Sequence, residues 1–175
     1  MIKKNILSIT VIVFSLLIVS CSNNSKFEIE KGKVGFLTTK TSILELDEIF
    51  KNDSIVKNLS EGATGDNYLQ DDDEYLVFEK GGKHLLTIIP KEQLDSTSTI
   101  KSIEIHDARF ITKTGITLDS NFLEVNSNNL INRVESSLSS ATLFIDELNS
   151  TIAIDKEELG LKQIITQKVS LDQIP

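Results

Sequence analysis

The sequence predicts an α+β fold of two tandem units, each a short helix plus an antiparallel β-hairpin, with the helices packed on an antiparallel sheet. Three observations predict it. The chain contains a glycine turn between two apolar runs, a short helical stripe that begins at a capping motif, and a second set of similar motifs in the same order downstream. The unit boundaries fall at about residues 33–110 and 113–175.

The hairpin is the strongest of these signals. Residues 75–78 and 84–89 are mostly apolar, and Lys80-Gly81-Gly82-Lys83 lies between them. Glycine supplies the positive φ that a tight turn between two strands requires. Further on, Ile103 and Ile105 alternate with polar residues, which predicts a third strand with one face in water.

The helical stripe lies upstream of this hairpin. Ser42 and Glu45 have the spacing of a capping box, and the apolar residues after them recur at helical intervals as far as Phe50. The pattern predicts a short helix over residues 42–50.

The second unit repeats these signals more weakly. Residues 42–46 recur as 121–125 and residues 89–94 recur as 154–159, while residues 61–74 of the first unit have no counterpart and indicate an inserted loop. Residues 142–147 and 151–155 predict another hairpin, and residues 163–171 a closing strand. The apolar residues between 131 and 138 fit either a helix or a strand, and we favour the strand.

The amino terminus has the layout of a secretory signal. Lys3 and Lys4 precede an apolar run over residues 6–19. As a helix this run would reach roughly 21 Å, which is shorter than the ~30 Å hydrocarbon core of a bilayer. It ends in Leu17-Ile18-Val19-Ser20-Cys21, which resembles the lipobox of bacterial lipoproteins.

That resemblance implies cleavage after Ser20 and lipid attachment at Cys21, with palmitate among the acyl chains. The predicted organisation is a signal peptide over residues 1–20, an acylated tether over 21–26 and a single globular domain over 27–175. Two or three acyl chains hold a protein stably on a bilayer. Ser22 follows the cysteine where an aspartate would favour inner-membrane retention, so the resemblance favours the outer membrane, on the periplasmic leaflet or the cell surface.

Composition narrows the function of the mature chain. Lys3 and Lys4 leave with the signal, so 16 basic residues face 26 acidic ones and the net charge is about −10. An acidic body is repelled by nucleic acid and by anionic lipid surfaces, and we expect no nucleic-acid partner. Cys21 is the only cysteine, so once it is acylated the domain has no residue for a disulfide, a cysteine zinc site or thiol catalysis.

No catalytic, metal or cofactor site emerges from the remaining polar residues. His84 and His106 lie on predicted strands, and a surface position is the expected role of each. Residues 71–74, with Asp66 and Asn67 nearby, could offer oxygen ligands to calcium, but the EF-hand spacing is absent. We expect a solvated acidic loop there.

The duplicated glycine, helix and hairpin look like the unit of the small lipoproteins of the barrel-assembly machinery and of the β-lactamase inhibitor protein. The mature chain also looks like uncharacterised Bacteroidota lipoproteins. This resemblance covers residues 33–171 loosely and implies an architecture without transferring a functional residue.

Three hypotheses of function remain. The first is a non-enzymatic envelope module that binds a protein partner through its exposed sheet face or the 61–74 loop, with the lipid bilayer held through Cys21. The second is an inhibitor or immunity lipoprotein that blocks a partner enzyme, and the third is a hydrolase with an unrecognised site.

Overall fold

The computed structural model describes residues 26–60, 72–129, 131–137 and 139–155. This part of the chain is mostly β, with 43% strand in three sheets of three or four strands. The strands are β1 (Glu28–Glu30), β2 (Lys33–Val34), β3 (Leu37–Thr38), β4 (Ser54–Asn58), β5 (Glu74–Phe78), β6 (His84–Pro90), β7 (Ile100–Ile105), β8 (Ile111–Thr112), β9 (Arg133–Ser136), β10 (Ser140–Ile145) and β11 (Ser150–Asp155). Among the described residues, none of the helices has the length and hydropathy that crossing a membrane requires.

The amino-terminal sheet has the order β3-β2-β1-β8. Strands β1, β2 and β3 are antiparallel neighbours, whereas β8 joins the other edge of β1 in parallel. Gly35 turns the chain between β2 and β3 with a φ of +57°, and a Cβ atom there would collide with the carbonyl oxygen of Lys26. This glycine therefore allows the turn to lie directly against the first described residue.

The middle sheet is antiparallel throughout, in the order β4-β5-β6-β7. The predicted hairpin is confirmed: Phe78 pairs with His84, and Gly81 and Gly82 take positive φ values of 119° and 90° in the turn. The predicted third strand is confirmed as β7. A register shift between Ile89 and Pro90 ends the regular pairing of β6 with β7.

The third sheet has the order β11-β10-β9 and is also antiparallel. It confirms the hairpin predicted over residues 142–155 and the preference for a strand between 131 and 138. The closing strand predicted over residues 163–171 lies outside the described residues.

The predicted fold class, α+β with helices packed on a sheet in two tandem units, is wrong. The described residues contain a 3-10 turn (Ile43–Glu45) that continues into α1 (Leu46–Ile49), and a second helix, α2 (Phe122–Asn128). Both capping boxes form, the first from Ser42 and Glu45 and the second from Asn121 and Glu124. The helices that follow are too short to bury the face of a sheet.

The amino-terminal sheet covers the middle sheet, together with Ile43, Leu46 and Phe50 of the short helical segment. Its inward residues Ile29, Val34 and Leu37 belong to the same hydrophobic cluster as Val77 and Leu86 of the middle sheet. The first predicted unit thus contains two sheets and the second contains one, so the two are not copies of each other.

The buried apolar residues form two clusters. The larger lies between the amino-terminal and middle sheets and extends to Phe110. The smaller begins at Ile116 and contains Val125 of α2 and three residues of β10. The last residue of the larger cluster is Phe110 and the first of the smaller is Ile116. The change from one cluster to the other therefore falls at residues 111–115, close to the predicted boundary between the two units.

Candidate functional site

The outer face of the middle sheet is the candidate site. Strand register places Val56, Leu76, Thr87 and Glu104 side by side across β4, β5, β6 and β7. Because successive side chains of a strand point to opposite faces, this row faces away from the row of Ile55, Val77, Leu86 and Ile105, which packs in the larger cluster. The sheet therefore has one buried face and one outward face.

Three rings stack along the next row of the outward face. Phe78 and His84 have ring centroids 4.7 Å apart with an interplanar angle of 23°. His84 and His106 are closer, at 4.0 Å and 15°. The stack runs from β5 through β6 to the residue that follows β7.

The hydroxyl of Thr87 joins the two imidazoles. Its Oγ1 lies 3.2 Å from Nε2 of His84 and 3.0 Å from Nε2 of His106. Nε2 of His84 also lies 3.1 Å from the carbonyl oxygen of Leu86, which can only accept a hydrogen bond, so this nitrogen carries the proton. The Thr87 hydroxyl is then free to donate to an unprotonated Nε2 of His106.

This arrangement favours the neutral form of His106. Burial lowers the pKa of His106 below its usual 6.5, a positive charge on His84 lowers it further, and Glu104 partly opposes both. Protonation of His106 would also remove the acceptor of the Thr87 hydrogen bond. The stack of three rings is therefore most stable when His106 is uncharged.

We expect acid to weaken the fold through this residue. Since the folded-state pKa of His106 lies below the unfolded value, its contribution to stability is complete above pH 6.5 and is lost as the pH falls towards the folded-state pKa. Chemical denaturation of His106→Phe at pH 7.5 and pH 5.5 should show a smaller change in unfolding free energy than the parent protein shows. Glu104→Gln should show a larger one, and identical changes in all three proteins would contradict this account.

The site lacks the geometry of a catalytic triad. Thr87 is 5% exposed, which leaves its hydroxyl no room to attack a substrate. The carboxylate of Glu104 lies 3.9 Å from Nε2 of His106. The same nitrogen already has a hydrogen bond with the hydroxyl of Thr87. Within the described residues no carboxylate orients either imidazole through Nδ1. The face offers stacking, apolar contact and hydrogen bonding, which are the means of binding.

Charged side chains surround the apolar part of the face. Glu104 is exposed at one edge, and Glu74 accepts a hydrogen bond from Asn58 near the opposite corner. Lys101, near the start of β7, pairs with Asp72 at 2.9 Å. Cations lie around the same sheet as well, among them Lys57 on β4 and Lys83 in the hairpin turn.

The acidic segment predicted to be a solvated loop is partly structural. Asp73 is 1% exposed, and its carboxylate accepts hydrogen bonds from the backbone N–H groups of Ser60, at 2.7 Å, and Leu94, at 2.6 Å. Asp73 therefore ties three loops together at one end of the middle sheet. Asp66, Asn67 and Asp71 lie outside the described residues, and in the described part of the chain no three metal-ligating side chains converge.

Cys21, the predicted site of lipid attachment, also lies outside the described residues. Lys26 is the first residue whose position is described, five positions after it. The structure therefore locates the point at which the chain enters the domain, at Lys26, and not the predicted lipid site itself.

Comparisons with protein-family models, with curated proteins and with solved structures gave no significant match. The residues of the chain itself therefore carry the proposal of function.

Proposed function

We propose that the protein is a lipoprotein of the bacterial cell envelope, anchored through Cys21 to a membrane, with the outer membrane favoured. Its domain is a non-enzymatic module that binds a protein partner. The observation that carries the anchoring is the sequence Leu17-Ile18-Val19-Ser20-Cys21, which places the only cysteine of the chain at the end of a secretory signal.

The outward face of the middle sheet is the proposed binding surface. Val56 is 52% exposed on the edge strand β4, and Leu76, Phe78 and Ile89 are half-buried on the same face. Interfaces place apolar and aromatic residues at their centre and polar residues at the rim. Together with the stacked histidines, these residues provide such a centre.

The charge of the chain defines the partner. The mature protein has a net charge of about −10, and Glu104 is exposed on the face. Complementary charge steers two proteins together and suppresses encounters with wrong partners. The partner is therefore a protein that presents an apolar strip bordered by lysine and arginine side chains.

The test is a pull-down from detergent-solubilised envelope with a charge placed on the face. Val56→Glu puts a carboxylate beside Leu76 on its apolar part and should remove the partner that the parent protein recovers. Leu123→Glu is the matched control, because Leu123 is 64% exposed on α2 and lies outside this sheet. Equal recovery by both variants would place binding elsewhere.

An inhibitor or immunity lipoprotein is the second candidate, and the acidic charge favours it because a basic enzyme cleft would accept such a surface. The same pull-down distinguishes the two functions. A toxin or hydrolase that loses activity on binding supports inhibition, whereas a stoichiometric envelope protein without such activity supports the binding module.

A further inference from the structure

The chain enters the domain through residues that are firmly held. The ammonium group of Lys26 lies 2.9 and 3.0 Å from the two carboxylate oxygens of Asp53. Phe27 packs edge-on against Phe110 with ring centroids 5.1 Å apart, and the guanidinium of Arg109 lies 4.5 Å from the Phe27 ring centroid. The position of Lys26 is therefore fixed relative to the sheets.

Arg109 connects this entry point to one end of the middle sheet. Its guanidinium pairs with Asp107 and with Glu79, which directly follows β5. These contacts lower the pKa of Asp107 and raise that of Arg109, so the cluster stays charged at neutral pH.

The opposite end of the same sheet is well separated from the entry point. Asp73 directly precedes β5 and holds the loop that contains Leu94. A strand of five residues is roughly 17 Å long. Leu94 thus marks the end of the sheet that lies away from the point where the chain enters.

The amino-terminal sheet is basic although the chain is acidic. Residues 26–40 and 111–114 contain five lysines (Lys26, Lys31, Lys33, Lys40 and Lys113) and two carboxylates (Glu28 and Glu30). With Asp53, whose carboxylate pairs with Lys26, the sheet and its turns have a formal charge of +2, against −8 for the whole chain. The net charge predicts repulsion from anionic lipid for the chain as a whole, but not for this sheet.

Two exposed apolar side chains lie on the same sheet beside the entry point. Phe36, in the turn between β2 and β3, is 52% exposed, and its neighbour Gly35 packs against the carbonyl of Lys26. Ile111 is 44% exposed and pairs with Glu28 on the face opposite to the core. Apolar side chains among lysines are typical of surfaces that rest in the interface of a membrane.

We propose that the amino-terminal sheet docks on the bilayer that holds the lipid anchor, with Phe36 inserted among the headgroups and the lysines against anionic lipid phosphates. This inference rests on the proposed acylation of Cys21. Five residues of chain reach at most about 17 Å, so the anchor keeps the entry point within that distance of the membrane. Leu94 lies at the end of the middle sheet opposite to the entry point and outside the amino-terminal sheet.

The chain has no tryptophan, so a single substitution creates a unique fluorescent reporter. Phe36→Trp is bound to vesicles of phosphatidylethanolamine and phosphatidylglycerol whose acyl chains are brominated near the headgroups. We expect its emission to shift to shorter wavelength and to be quenched by the bromines. Leu94→Trp is the matched control, since Leu94 is 66% exposed at the far end of the sheet, and its emission should be unaffected by the brominated lipid.

Two samples separate this inference from the proposed function. In the first, the chain is matured and acylated by the cell, and the mass of Cys21 is measured. In the second, the chain beginning at residue 21 is coupled through its only cysteine to a maleimide lipid. An unmodified Cys21 in the first sample overturns the proposed function, whereas a water-exposed Phe36→Trp in the second overturns the docking.

The lysines are tested in the coupled sample. Lys33→Gln in the Phe36→Trp protein should weaken the quenching on anionic vesicles, because each lysine near an anionic surface strengthens the attraction to it about fivefold. Lys91→Gln is the control at the far end of the middle sheet and should leave the quenching unchanged. If quenching is the same on neutral and anionic vesicles, the lysines do not contact lipid phosphates.

Discussion

Substituting Cys21 by alanine should move the protein from the membrane fraction to the soluble fraction of cells. Each buried methylene of an acyl chain contributes about 0.8 kcal/mol, so two or three chains hold the domain on a bilayer and their loss releases it. The amino-terminal sheet alone should not retain the protein on the membrane, since it offers only a few exposed apolar side chains. Fractionation followed by immunodetection measures the change.

Ser22→Ala is the matched control, because it alters the neighbouring residue and keeps the thiol. It should fractionate like the parent protein. A parent protein found in the membrane with residues 1–20 still attached would show that the apolar run over residues 6–19, and not a lipid, holds the chain.

Leu86→Ala should lower the free energy of unfolding by about 2–5 kcal/mol, the range for truncating a fully buried leucine. Leu86 is 2% exposed at the centre of the middle sheet, between Val77 and Ile105 on its inner face. The loss includes the transfer of the side chain and the cavity left between the two sheets. Denaturation in urea, followed by circular dichroism, measures it.

Leu44→Ala is the control, since Leu44 is 63% exposed and surface substitutions usually change stability by about 0.5 kcal/mol or less. Similar values for the two variants would mean that the inner face of the middle sheet is not the core of the fold.

The sequence predicts local structure well where one residue type determines the backbone. Gly81 and Gly82 mark a hairpin because only glycine takes their φ values without strain. The capping boxes at Ser42 and Asn121 could be predicted because both partners lie within three residues. These elements are formed by neighbours along the chain.

The fold class could not be predicted because it depends on very short strands and distant pairing. Strands β2, β3 and β8 have two residues each, too few for an alternating pattern to be visible. The parallel pairing of β1 with β8 joins residues about eighty positions apart. Because these strands could not be recognised, the short helix predicted before Phe50 was the element that the sequence offered to pack against the middle sheet.

The candidate site was predicted in outline only. An exposed face on the middle sheet follows from the alternation in β7, but the contact between His84 and His106 depends on the register of β6 with β7. That register is set by the pairing of Leu86 and Ile88 with β7 in the core. The residues next to the two histidines in the sequence do not reveal this pairing.

The mass of the amino-terminal peptide of the mature protein tests the central claim most directly. We predict a peptide that begins at Cys21 and carries a diacylglycerol thioether on its sulfur. A peptide that extends through Ser20, or one that begins at Cys21 with a free thiol, would contradict the account of an acidic β-sheet domain anchored to a membrane by lipid.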